Sequence, residues 1–243
     1  MKQLTNLKKV LVLMISIITL ASCSDIEPTP RAPAARLALH NAYSPIPTIQ
    51  PRVNDLAAAA IPYGRADGYY EFTNITNQTL TFINQGTNQV LVDRVPLRIE
   101  LEGEYTGVIY GNAIPGKFIL LKDTVIQNAS TNPRIRFLNV AEGVQAVDLF
   151  IGTDRIESLS NRSQEDQSNS RLSERFILST RPAGATDITV RDQQGNVIAT
   201  LPSYNFGAAR YYTIMLLGDS AFNEQSPTAE DRLKALRINT FAH

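Results

Sequence analysis

Tryptophan is absent from this chain, cysteine occurs once and histidine twice. Each scarcity removes a class of function. With one cysteine no disulfide can form within the chain, so burial of apolar groups has to supply its stability. The same shortage rules out a C-x-x-C metal site, and His40 and His243 do not form an H-E-x-x-H motif. No P-loop, G-x-G-x-x-G, EF-hand loop or nucleophile elbow G-x-S-x-G is present. The residues therefore point to no cofactor, no metal and no enzymatic activity. Charge is equally uninformative, with 23 Lys+Arg against 23 Asp+Glu. No basic field exists to gather nucleic acid. The longest apolar run, Val10 to Leu20, is shorter than the roughly 20 residues of a spanning helix.

What is present at the N-terminus follows a definite pattern of residue types. Lys2, Lys8 and Lys9 precede the apolar run, which closes on Leu20-Ala21-Ser22-Cys23. A basic start, an apolar stretch and small residues before a cut site form a secretory signal. The last four residues resemble the lipobox of bacterial lipoproteins, which implies a signal peptide over 1–22 and lipidation of Cys23, palmitate included. The alternatives are a spanning helix, or a plain secretory signal with an incidental cysteine. Stable anchoring takes more than one acyl chain, and lipoproteins of this type resemble that case. The expected location is the outer membrane of the cell envelope. Asp25 and Glu27 resemble the surface-export signal of Bacteroidetes-type lipoproteins, which favours surface exposure over a periplasmic orientation. Removing residues 1–22 takes away three lysines and leaves a formal charge of −3, so no basic patch assists the anchor.

Residues 23–35 carry Pro28, Pro30 and Pro33. Proline at that density favours an extended, semi-stiff spacer. Beyond it the chain looks duplicated, with one body over 36–127 and another over 132–243. Arg36–Ala42 aligns with Arg134–Val140, Thr79–Val92 with Asp187–Thr200, and Tyr105–Asn112 with Tyr212–Asp219. Phe118–Asp123 and Leu236–Phe241 close the two halves. The polar stretches Glu157–Ser173 and Asn223–Lys234 read as insertions in the second copy. The latter can hold one helical turn begun by Ser226-Pro227-Thr228. Gln127–Pro133 marks the joint.

Each half is a series of short β-branched or alternating runs broken by Gly, Pro and Asn. Gln85-Gly86-Thr87 and Gln194-Gly195-Asn196 sit at hairpin turns. This texture predicts an all-β chain: two tandem immunoglobulin-like antiparallel β-sandwiches. Arg134–Val140, Ala146–Gly152, Arg181-Pro182-Ala183-Gly184 and Tyr212-Thr213 together resemble the bacterial secreted module known as domain of unknown function 4397. The first half keeps Ser44-Pro45, Val53-Asn54-Asp55 and Tyr105-Thr106 but lacks the Pro-Ala-Gly turn. That resemblance supports a sandwich, implies no activity and transfers no site.

Few residues invite a chemical reading. His40 in a strand reads as a buried or edge histidine before it reads as a catalytic base. Glu100, Glu102 and Glu104 alternate as if along one solvated strand face, although paired carboxylates also serve glycoside hydrolysis. Pro62–Phe72 offers the most suggestive surface, with Tyr63, Tyr69 and Tyr70 around Arg65 and Asp67. Aromatic rings beside arginine are favoured at binding surfaces. The bland alternative is that the tyrosines pack inward and Asp67-Gly68 is a turn. Asp123-Thr124-Val125 and Asp219-Ser220-Ala221 resemble an O-glycosylation motif, with Thr124 and Ser220 as acceptors.

The expectation is therefore a lipid-anchored envelope protein acting as a non-catalytic binding or structural module. Its partners would be the membrane, through acyl chains, and an envelope protein or glycan ligand. A glycan-binding accessory of an outer-membrane nutrient-uptake system is the alternative, weakened by the missing tryptophan.

Overall fold

A computed structural model describes residues 32–124, 130–166 and 170–243. The signal segment, Cys23, most of the spacer and the start of the joint at 125–129 lie outside the described residues. The first half contains β1 (Ala35–Tyr43), β2 (Thr48–Val53), β3 (Leu56–Ala57), β4 (Ile61–Pro62) and β5 (Ala66–Phe72). It continues through β6 (Thr79–Asn84), β7 (Val90–Pro96), β8 (Glu104–Gly111) and β9 (Lys117–Lys122). The second half holds β10 (Arg134–Asn139), β11 (Asp148–Ile151), β12 (Asp154–Arg155), the short α1 (Ser170–Ser173) and β13 (Ile177–Leu178). It ends with β14 (Gly184–Arg191), β15 (Val197–Phe206), β16 (Tyr211–Leu217), α2 (Ala229–Leu233) and β17 (Arg237–Ala242). The chain is all-β, and its described helices are single turns.

Among the described residues the strands form four sheets. In the first half the orders are β5-β1-β8-β9 and β3-β2-β6-β7, with β4 also on β2. In the second they are β13-β10-β16-β17 and β12-β11-β14-β15, so the same order recurs. Not every pair is antiparallel as the sequence pattern predicts. β1 runs parallel to β8 and β10 parallel to β16. A parallel pair needs a long crossover, and here the opposite sheet of the same half supplies it. The closing strands also register differently from the sequence alignment. Ile109 faces Phe118 on β9, while Leu216 faces Ile238 on β17, so Phe118 corresponds to Ile238, not Leu236.

Side-chain alternation explains how the layers stack. Along β8, Tyr105 and Ile109 join the core of the first half, whereas Val108 and Tyr110 turn to the opposite face. There they meet Leu138, Val140, Met215 and Leu217 of the second half. β1 and β10 are likewise buried along almost their whole length. A strand covered on both faces commonly reads as a near-continuous apolar run, and β1 and β10 depart from that at His40, Asn41, Arg134, Arg136 and Asn139, which are buried polar residues. Leu37 and Leu39 pack with Ile49, Leu80 and Phe82 in one core. Ile135 and Phe137 pack with Leu149, Ile188 and Val190 in the other.

Corresponding residues make corresponding bonds. Asn41 Nδ2 donates to Ile61 O at 2.9 Å, and Asn139 Nδ2 to Arg162 O at 3.0 Å. Their Oδ1 atoms accept from Tyr43 N and Ala141 N. The expected helical turn is present as α2, with the Thr228 hydroxyl accepting from Asp231 N at 3.0 Å.

Strand direction gives the folded region a pair of poles. Arg136 reaches both Thr106 and Thr213, near the starts of β8 and β16, while Asn112 bonds Asp219 just beyond their ends. β1, β8, β10 and β16 thus run the same way. β1 carries the chain roughly 30 Å from the entry pole to the far pole.

Candidate functional site

The five residues expected to form one binding surface do not share a face. Tyr69 and Tyr70 are consecutive in β5, so their side chains point to opposite sides of the sheet. Tyr70 packs on the first core, and its hydroxyl donates to Asp67 Oδ2. Tyr69 lies on the other side, under the Arg36 guanidinium at 4.6 Å, with its hydroxyl 3.2 Å from His243 Nδ1. Tyr63 packs at the junction of the halves beneath Arg237, at 4.5 Å. Burial pushes the phenols of Tyr63 and Tyr69 up to about 12. Only Arg65 is plainly exposed. The alternation that makes β5 a strand is what disperses the rings.

Most titratable groups of interest gather elsewhere, between the two central sheets. Arg136 is fully buried there, and its Nη1 lies 2.8 Å from Asp123 Oδ1. Its Nε donates to Thr213 Oγ1 at 2.8 Å and its Nη2 to Thr106 Oγ1 at 2.7 Å. Thr106 Oγ1 also lies 3.0 Å from each Asp123 oxygen. His243 Nε2 is 2.8 Å from Thr213 Oγ1, and its Nδ1 is 3.6 Å from Asp123 Oδ2. The Phe176 ring covers the guanidinium at 4.5 Å. His40 stands nearby, edge-on to Phe241 at 4.4 Å.

The electrostatics follow from desolvation. Burial, aided by the Arg136 charge, drives His40 and His243 down to about 3, so both are neutral. Burial raises the Asp123 carboxyl, and Arg136 offsets only some of that. A histidine, a hydroxyl and a carboxylate have come together, as in a nucleophilic triad. Yet Thr213 is completely buried and its oxygen already accepts from Arg136. The cluster joins the halves, with Arg136, Thr106 and Thr213 completely buried.

Residues 35–150 match the family model described as Domain of unknown function (DUF4397). The resemblance read from the sequence stands. The match covers the first half and runs on through most of β11, although the sequence motifs were clearer in the second. No curated protein matches the chain.

Other expected sites disperse as well. Glu104 opens β8 and pairs with Arg36 at 2.8 Å, but Glu100 and Glu102 belong to the preceding turn. Glu102 adopts φ 63°, which breaks the alternation that would have aligned the three carboxylates. Thr124 is exposed after β9. Ser220 is exposed at the far pole, where its hydroxyl donates to Gly143 O at 2.8 Å. Among the described residues no group of three or more His, Cys, Asp or Glu side chains is placed to hold a metal ion, and no helix could cross a membrane.

Sequence reasoning missed a second buried network inside the supposed polar insertion. Arg162 Nη2 lies 2.8 Å from Glu165 Oε1, and Ser173 Oγ donates to Glu165 Oε2 at 2.5 Å. The Tyr110 hydroxyl of the first half donates to Glu165 O. Leu159 and Arg162, an aliphatic and a basic residue amid serines and asparagines, were cues in the sequence.

Clefts open at the far pole. One, of about 180 Å³, lies between Pro45, Pro47 and Tyr63 of the first half and Leu233 and Arg237 of the second. Another, of about 350 Å³, belongs to the second half alone, between residues 143–147, the turn at 192–194, Ser220 and Leu236.

Proposed function

We propose that this chain is a lipid-anchored protein of the cell envelope whose folded region is a non-catalytic binding or structural module. In this reading the chain holds two copies of one β module, and the pole where β1 and β8 end meets the partner. The observation that carries it is the contrast between the closed Arg136 cluster and the open far pole. Arg136, Asp123 and the two histidines lie between the halves, away from that pole. The larger accessible cleft is lined mainly by amide, hydroxyl and aliphatic groups. A site for recognition needs concavity and a few placed polar groups, whereas catalysis needs a reactive group within reach of substrate.

The anchor rests on Leu20-Ala21-Ser22-Cys23 and the spacer after it. Labelling cells with an alkyne-bearing palmitate tests it. Label is expected on the wild-type chain in the membrane fraction and lost in Cys23→Ser. Label retained by that variant overturns the anchor. The presenting pole is tested by photo-crosslinking in intact cells. A crosslinker at Gln194 should give discrete adducts, and one at Asn74, near the entry pole, should not. The reverse pattern overturns the assignment.

A further inference from the structure

The larger far-pole cleft has a lining with a definite chemical bias. Val144, Val147, Ile198 and Leu236 make its aliphatic floor. Three primary amides, Gln145, Gln193 and Gln194, and the Ser220 hydroxyl stand around it. Among the described residues no lysine or arginine lines it, and Asp192 is its one charged group.

Asp192 is already engaged by its own turn. Its Oδ1 accepts from Gln194 N at 2.9 Å and Asn196 N at 2.8 Å, and its Oδ2 from Asn196 Nδ2 at 2.9 Å. Those bonds, the Asn196 side chain first, lower its pKa. It therefore holds the turn in shape and remains negative, which disfavours anions. Gln193 Nε2 donates across to Ala146 O at 3.1 Å, tying the turn to the facing loop. Ser220 is tied to Gly143 in the same way. The walls are thus fixed before any ligand arrives, which lowers the entropic cost of binding.

The corresponding segment of the first half is built differently. Where Gly143-Val144-Gln145 follows β10, Pro45-Ile46-Pro47 follows β1, and Ile46 is buried in the core. The equivalent positions Pro45 and Pro47 line the smaller cleft instead, beside residues of the second half.

We propose that this cleft binds a neutral sugar unit of a glycan. Amide side chains offer a donor and an acceptor each, which suits a ring bearing several hydroxyls that do both. An aliphatic floor suits the C–H face of such a ring. A lining without cations lacks the usual partners of phosphate or carboxylate. At about 350 Å³ the volume lies at the small end of ligand sites, which fits a short saccharide better than a folded partner. The inference rests on the binding-module reading and names its ligand class.

The test is a glycan array with the full chain, carrying neutral, sialylated and sulfated oligosaccharides, followed by titration calorimetry on the hits. Neutral glycans should bind and acidic ones should not. Gln145→Ala combined with Gln194→Ala removes two exposed amides, and affinity should fall about tenfold or more. Arg65→Ala, outside the cleft, should leave affinity unchanged. Binding of no neutral glycan, equal binding of acidic ones, or full affinity in the double variant overturns the proposal. Crosslinks still formed at Gln194 with no saccharide bound would remove the sugar and leave the binding-module reading standing.

Discussion

Asp123 and Arg136 come from different halves of the chain and meet as an ion pair at 2.8 Å, with both side chains almost completely out of water. Asp123 follows β9 and His243 follows β17 at the same place in the pattern, since their amides bond Glu104 O and Tyr211 O. Thr106 and Thr213 also correspond, each following a buried tyrosine that pairs next to the sheet edge. A single arginine therefore bridges two related positions. The energetic consequence is lopsided, because a buried pair contributes little net while a lone buried charge is costly.

Arg136→Met should lower unfolding free energy by about 3–5 kcal/mol, because it strands the Asp123 carboxylate. Combining it with Asp123→Leu should recover much of that loss. Urea unfolding of the two single variants and the double variant closes the cycle. Additive losses would mean that the pair does not act as a unit.

Stability should fall as pH drops below about 6.5. His40 and His243 have pKa values of about 3 in the folded chain, against 6.5 when unfolded. Between those values the unfolded state binds more protons, so each histidine contributes a slope of about 1.4 kcal/mol per pH unit. Asp123 and Glu165, raised by burial, act in the opposite sense. The clean readout is a difference between proteins. His40 Nε2 has no hydrogen-bond partner, and Leu138 occupies the corresponding position on β10. His40→Leu should be at least as stable as wild type at pH 7 and should gain on it by that slope as pH falls. Urea midpoints from pH 7 to 4.5 measure the gap.

Two tyrosines of β4–β5 should respond differently to loss of the hydroxyl. Tyr63→Phe removes a buried hydroxyl with no partner, so stability should hold or rise slightly. Tyr69→Phe loses the contact with His243 and should cost about 1 kcal/mol. Thermal or urea unfolding of both variants decides, and equal effects would contradict the geometry.

Gly111 and Gly218 stand at the ends of β8 and β16 with φ of 109° and 111°. A Cβ on Gly218 would lie 2.5 Å from Ala235 O, whereas one on Gly111 would meet nothing closer than 3.6 Å. Gly111→Ala should therefore cost about 1–2 kcal/mol of backbone strain. Gly218→Ala should cost roughly 3 kcal/mol or more, because steric overlap adds to the strain. Unfolding curves for the pair separate the two effects.

The strands were legible wherever local pattern coincided with burial. The apolar runs at Arg36–Ala42 and Arg134–Val140 became β1 and β10, and the glycine turns at 85–87 and 194–196 became hairpins. Candidate sites were less legible, because composition says which groups are near in sequence and nothing of which face they take. The clustering of Tyr63, Arg65, Asp67, Tyr69 and Tyr70 is real along the chain and dissolves across the sheet.

From the residues alone came the all-β class, the two runs of related segments and the family resemblance, since alternation and turn chemistry are local properties. Tertiary structure alone decided that β1 and β8 pair in parallel and that the halves meet through Val108, Tyr110, Met215 and Leu217. It alone made Asp123, Arg136 and His243 neighbours. Those outcomes depend on contacts between residues far apart in sequence, and such contacts leave no period of two or of 3.6 for a reader to find.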